Sequence, residues 1–136
     1  MATVALTEQN FASTIEGNDI VLLDWWAEWC GPCRMFGPIF ESASETHADI
    51  VFGKIDTEAE RGLAGMAGIQ SIPMLMIFRQ GILLFAQPGA LPADALEDLI
   101  VQARAVDMEA VRAEIAAQQD HDHDHHGHDH DHGHSH

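Results

Sequence analysis

Positive charge is what this 136-residue chain has least of: Lys and Arg total 6 against 22 Asp and Glu, a formal charge of −16. Five of the acids fall in the last 17 residues, and the rest of the chain still carries 17 acids against 6 bases. That sign argues against nucleic acid or an anionic membrane as a partner. Long apolar runs are missing too, since no stretch approaches the roughly 20 residues of a membrane span. The opening Met1-Ala2-Thr3-Val4-Ala5-Leu6-Thr7-Glu8 lacks the basic and apolar regions of a secretory signal. The expected location is the cytoplasm, where thiols are kept reduced. Cysteine is equally scarce, with only Cys30 and Cys33 present. A structural zinc set needs further ligands, and His47 is the only histidine before the C-terminal tail. An inert bridge across a two-residue loop contributes little chain entropy.

Redox chemistry is the reading that the pair favours. A buried-strand pattern, Asp19-Ile20-Val21-Leu22-Leu23-Asp24-Trp25-Trp26, precedes Trp29-Cys30-Gly31-Pro32-Cys33. Met35, Phe36, Ile39, Phe40 and Ala43 follow at helical spacing. The cysteines therefore fall where a strand hands over to a helix, with Cys30 at the helix N-terminus. Unpaired N–H groups and the positive end of the helix dipole favour a thiolate there. The thiolate is the attacking species in thiol–disulfide exchange.

The length fits one domain with a real core. Thr3–Leu6 is a short strand candidate, and Thr7 is placed to cap a helix through about Glu16, stopped by Gly17-Asn18. The helix after the cysteines spans about Cys33 to His47, with a kink expected at Pro38. Residues 50–56 read as a strand, and Thr57-Glu58-Ala59-Glu60 reads as a capping box opening a short helix that ends near Gly65 or Gly68. Residues 74–78 and 82–86 read as a hairpin across Arg79-Gln80-Gly81. Pro92 starts a helix with Leu96, Leu99, Ile100 and Ala103 on one face, and a break is expected near Asp107. The order β-α-β-α-β-α-β-β-α predicts an α/β fold, a central mixed sheet flanked by helices on both faces. The expected division is a domain over 1–106, a helical extension over 107–119 and a tail over 120–136.

Asp24 through Cys33 (Asp-Trp-Trp-Ala-Glu-Trp-Cys-Gly-Pro-Cys) resembles the active-site segment of the thioredoxin family. Ile72-Pro73 resembles its cis-proline segment, Gly89-Ala90-Leu91 its glycine-containing rim, and Lys54 falls on the strand that carries a lysine facing the buried aspartate. The resemblance covers about Val4 to Ala105 and implies a thioredoxin fold and protein-disulfide reduction. It makes Cys30 the exposed nucleophile and Cys33 the more buried resolving thiol. Asp24 would serve Cys33 as base, its pKa raised by burial, and Lys54 would tune it; a merely structural Asp–Lys pair is the alternative. Trp29, Gly31, Pro32, Ile72, cis-Pro73 and Gly89 would bind substrate. No cofactor is implied for the redox step, and the implied partners are protein disulfides and a thioredoxin reductase as electron donor.

Four features depart from the family pattern. Trp25 stands for phenylalanine, Arg34 for lysine, Met74 for threonine, and Ile82-Leu83-Leu84-Phe85 is wholly apolar. Core packing accounts for the last; weak association through that strand is the other reading.

Beyond Gln119 the composition turns to His, Asp and Gly. The histidines His121, His123, His125, His126, His128, His130, His132, His134 and His136 are candidate ligands for zinc or nickel. Such a segment cannot bury a core and is expected to lack order. A metal-binding or metal-delivery protein on a thioredoxin scaffold is therefore the alternative function.

Overall fold

The computed structural model describes the backbone of residues 2–133 and the side chains of residues 2–120. Its organising element is β2 (Ile20–Trp26), whose first six residues are all buried. Central strands read as continuous apolar runs because helices cover both faces. Parallel to β2 lies β3 (Val51–Asp56), with β1 (Val4–Ala5) parallel beyond it. On the other side β4 (Met74–Arg79) and β5 (Ile82–Pro88) run antiparallel, giving the order β1-β3-β2-β4-β5. The β4–β5 turn is made by Gln80 (φ 52°) and Gly81 (φ 79°), left-handed positions of the kind that tight hairpins require.

Side-chain alternation divides the core in two. Leu22, Phe52, Leu75 and Ile77 face α2 (Gly31–Thr46) and α4 (Ala93–Ala105), which contribute Phe36, Phe40, Leu96 and Ile100. Val21, Leu23, Trp25 and Ile55 face α1 (Phe11–Gly17) and α3 (Arg61–Met66), which contribute Ile15 and Leu63. Trp25 is wholly buried on that second face and packs a tilted ring against Phe11 at 6.0 Å. Even-numbered Asp24 and Lys54, paired in register across β2 and β3, thus lie on the α2 face of the sheet. Helix α2 runs through Pro38 from Gly31 to Thr46.

Residues Met1–Ala105 form one compact unit and Val106–His136 a second. The second consists of α5 (Met108–Gly133), opened by Asp107, whose Oδ1 accepts the Ala110 N–H at 3.2 Å. Its backbone is helical to Gly133. The side chains of the nine candidate metal-ligand histidines lie outside the described residues.

Two helix starts differ from expectation, the first because a local side-chain bond wins. Asn10 Oδ1 accepts the Thr7 N–H at 2.7 Å, holding residues 8–10 in turns, so α1 begins at Phe11. The capping box at Thr57 does not form. Asp56 Oδ1 takes the Glu58 and Ala59 N–H groups at 2.9 and 3.2 Å, and the Thr57 hydroxyl donates to the Trp26 carbonyl at 3.0 Å. Helix α3 then starts at Arg61.

Candidate active site

Cys30 is the N-cap of α2, with extended backbone (φ −90°, ψ 115°). Its Sγ accepts the Cys33 N–H at 3.2 Å, and its thiol approaches the Ile72 carbonyl at 3.7 Å. A sulfur that receives a helix-terminal N–H is a sulfur whose thiolate is stabilised. Pro32 fits the first turn, where no N–H is required. Both cysteines are free thiols. The expected contrast in exposure is absent: Cys30 and Cys33 are each 5% exposed. Ile72, arriving from a segment 42 residues away, packs with Ala27 against the pair and covers Cys30.

The electrostatics of the pair bear on Cys33. Cys33 is pushed up from its ordinary 9.0 to about 12, first by burial, then by its hydrogen bond to Cys30 and by the charges of Cys30 and Asp24. At neutral pH Cys33 is therefore held as the thiol. Asp24 is 0% exposed, and neither carboxylate oxygen has a hydrogen-bond partner among the described residues. Burial raises it from 3.8 to about 7, and the Lys54 charge opposes the rise. Lys54 makes no ion pair with it; its Nζ lies 5.2 Å from the centre of the Trp26 ring. A carboxyl titrating near 7 is matched to moving a proton at neutral pH.

A rim surrounds the dithiol. The Ile72–Pro73 peptide is cis, and the Pro73 carbonyl accepts the Gly89 N–H at 2.8 Å, bringing two of the expected substrate segments together. Gly89 has φ +106°, which side-chain-bearing residues rarely adopt. Trp29, Gly31 and Pro32 are exposed beside it, Trp29 by 66%. A groove of about 320 Å³ runs between Trp29, Ile72 and the α3 residues Ala64 and Gly65.

Behind Cys33 lies a larger cavity of about 770 Å³, bordered by Trp26, Gly37, Glu41, Lys54 and Thr3. The Thr3 hydroxyl donates to Glu41 Oε1, while Glu41 Oε2 is buried without a partner among the described residues. Glu41 and Thr3 were not anticipated from the sequence. The spacing of Cys33, Gly37 and Glu41, four residues each, places all three on one helix face and is the signal that would have found them.

The structure thus gathers Asp24, Cys30, Cys33, Lys54, Trp29, Gly31, Pro32, Ile72, Pro73 and Gly89 around one strand-to-helix junction, in the geometry of a thiol–disulfide oxidoreductase. Residues 2–102 match the thioredoxin family model. A Streptomyces coelicolor protein provisionally named thioredoxin 2 is 57% identical over 87% of this chain and 88% of its own. Thioredoxin of Bacillus subtilis is 39% identical over 74% of this chain and 96% of its own. Among solved structures, a mutant thioredoxin of Halobacterium salinarum superposes with a TM-score of 0.71 at 31% identity, covering 77% of this chain and 93% of that one. Plasmodium falciparum thioredoxin superposes at 0.67 with 32% identity, covering 72% and 96%. The chain belongs to the thioredoxin family. Among the described residues no helix is long and apolar enough to cross a membrane, and no group of three metal-ligating side chains converges.

Proposed function

We propose that this oxidoreductase reduces protein disulfides, with Cys30 as nucleophile and Cys33 as resolving thiol. The Cys30 thiolate attacks one sulfur of the substrate, forming a mixed disulfide and releasing the other sulfur as a thiolate that takes up a proton. Asp24 accepts the Cys33 proton, and the Cys33 thiolate attacks Cys30 within the mixed disulfide. The second substrate sulfur leaves and is protonated, so two electrons pass to substrate and a Cys30–Cys33 disulfide remains. Lys54 tunes Asp24. Trp29, Gly31, Pro32 and Gly89 form the rim, where the backbone at Ile72-Pro73 offers an edge to an extended substrate segment. A thioredoxin reductase in the cytoplasm restores the dithiol.

The observation that carries this reading is the geometry of the dithiol: Cys30 caps α2 and its Sγ accepts the Cys33 N–H at 3.2 Å, while Cys33, pushed up by burial, is acted on by the charge of the buried Asp24. Turnover of a small disulfide-bonded protein by the full chain and by a version ending at Gln119 tests it. Reduction by both supports the reading, and failure of both refutes it.

The nine histidines among the last 17 residues favour a second property, binding of zinc or nickel by the tail. Calorimetry with zinc should show binding that disappears when the chain ends at Gln119. It should weaken below about pH 6.5 as imidazoles protonate. If disulfide turnover failed while zinc binding survived, metal delivery on a thioredoxin scaffold would become the leading function. The outer strand β5, with Leu83 exposed, supports at most weak self-association, to be read by sedimentation against concentration.

A further inference from the structure

We propose that Glu41 is a positioning residue for the resolving half-reaction: its carboxylate draws the Lys54 ammonium along the cavity behind Cys33 and so sets how much of that charge reaches Asp24. The proposal rests on the reading of Asp24 as the base for Cys33.

Two buried carboxyl groups, Asp24 and Glu41, lack hydrogen-bond partners for some or all of their oxygens, and Lys54 is the cation that borders the cavity with Glu41 and acts on Asp24. Asp24 has both oxygens buried without a hydrogen-bond partner among the described residues. Glu41 has Oε1 tied to the Thr3 hydroxyl and Oε2 buried without one. A buried carboxylate oxygen left unpaired calls for a donor, and Lys54 carries three on a flexible stem. Its Nζ is committed to neither acid: it makes no ion pair among the described residues and rests 5.2 Å from the Trp26 ring centre. It also lies 3.8 Å from where a Cβ on Gly37 would be, against the helix face that carries Glu41 one turn on. Glu41 and Lys54 both border the cavity of about 770 Å³, which leaves the ammonium room to move toward Glu41 or away from it. The other charges bordering it are Glu28 and Arg34, both exposed and screened by solvent, and the Cys33 thiol itself.

Removing the Glu41 charge therefore leaves Lys54 to Asp24. Carbon-13 carboxyl resonances of the reduced, full-length protein, titrated from pH 5 to 9, read Asp24 directly and without turnover. Glu41→Gln should lower the Asp24 midpoint by roughly one unit. The pH at which a Cys30 mixed disulfide resolves at half its maximal rate should fall with it. In a Lys54→Met background the same substitution should leave the midpoint where it is. No shift in Glu41→Gln alone overturns the proposal. An equal shift in both backgrounds overturns it too, because Glu41 would then act on Asp24 by direct repulsion and not through the lysine. Should Asp24 fail to titrate near 7 in the unsubstituted protein, the base reading falls first and this one with it.

Discussion

Replacing Asp24 by Asn should remove a pH dependence of stability that the buried carboxyl supplies. Asp24 is 0% exposed and titrates near 7 in the folded protein against 3.8 when solvated. The folded state therefore holds a proton that the unfolded chain has lost between those two values. Stability then falls by up to about 1.36 kcal/mol per pH unit in that window and levels off above 7. The sign follows from the raised pKa: the contribution is fully present below 3.8 and is lost as pH rises through 7. Working well above the isoelectric point near 4.6 keeps the chain soluble. From pH 5.5 to 8.5 only the first 1.5 units lie inside the window, so Asp24 accounts for a loss of about 2 kcal/mol. Urea unfolding of the reduced protein at both pH values gives the unsubstituted protein this loss. Asp24→Asn lacks it, so the difference between the two proteins should shift by about 2 kcal/mol in favour of the variant on going to pH 8.5. The constant penalty of burying an amide without partners cancels in that comparison. A difference that stays the same at both pH values would refute the reasoning, since Asp24 would then have the same pKa folded and unfolded.

Two further substitutions probe the frame around this carboxyl. Gly53→Ala would place a Cβ 2.6 Å from Leu6 Cδ1 and 3.2 Å from Leu23 Cδ2, both on buried side chains. Overpacking of this kind costs about 1–3 kcal/mol, visible as a lower urea midpoint with an unchanged slope. Lys54→Met removes the one charge that holds Asp24 down, so its carboxyl midpoint should rise above 7 by on the order of one unit. A fall, or no change, would show that the lysine charge does not reach the carboxyl.

Much of the fold is legible because burial here follows short-range rules. The unbroken apolar run from Ile20 announces a strand covered on both faces, and Asp24 within that run has no route to solvent. Cys30 falls at the end of the strand and the start of α2, so its role as helix cap follows from order along the chain. What escapes the sequence depends on partners far away in it. Cys30 is as hidden as Cys33 because Ile72 is folded over it from another strand's approach. The capping box at Thr57 fails because its two donors are taken by carbonyls, the Thr57 N–H by Trp26 and the Glu60 N–H by Asp56, each at 2.9 Å, and Glu60 turns back to accept the Glu8 N–H at 3.1 Å. The Thr3–Glu41 bond spans 38 residues and closes one side of the rear cavity. Helical spacing could have placed Glu41 on the Cys33 face, yet nothing local reveals that one of its oxygens is buried.

The division of labour between the sulfurs is the claim on which the account stands, and trapping tests it most directly. Cys33→Ser, mixed with a disulfide-bonded substrate, should accumulate a covalent adduct on Cys30, seen as a mass increase equal to one substrate chain and reversed by dithiothreitol. Cys30→Ser should form none at the same rate. An adduct that appears on Cys33 in Cys30→Ser as fast as on Cys30 in Cys33→Ser would contradict the assignment.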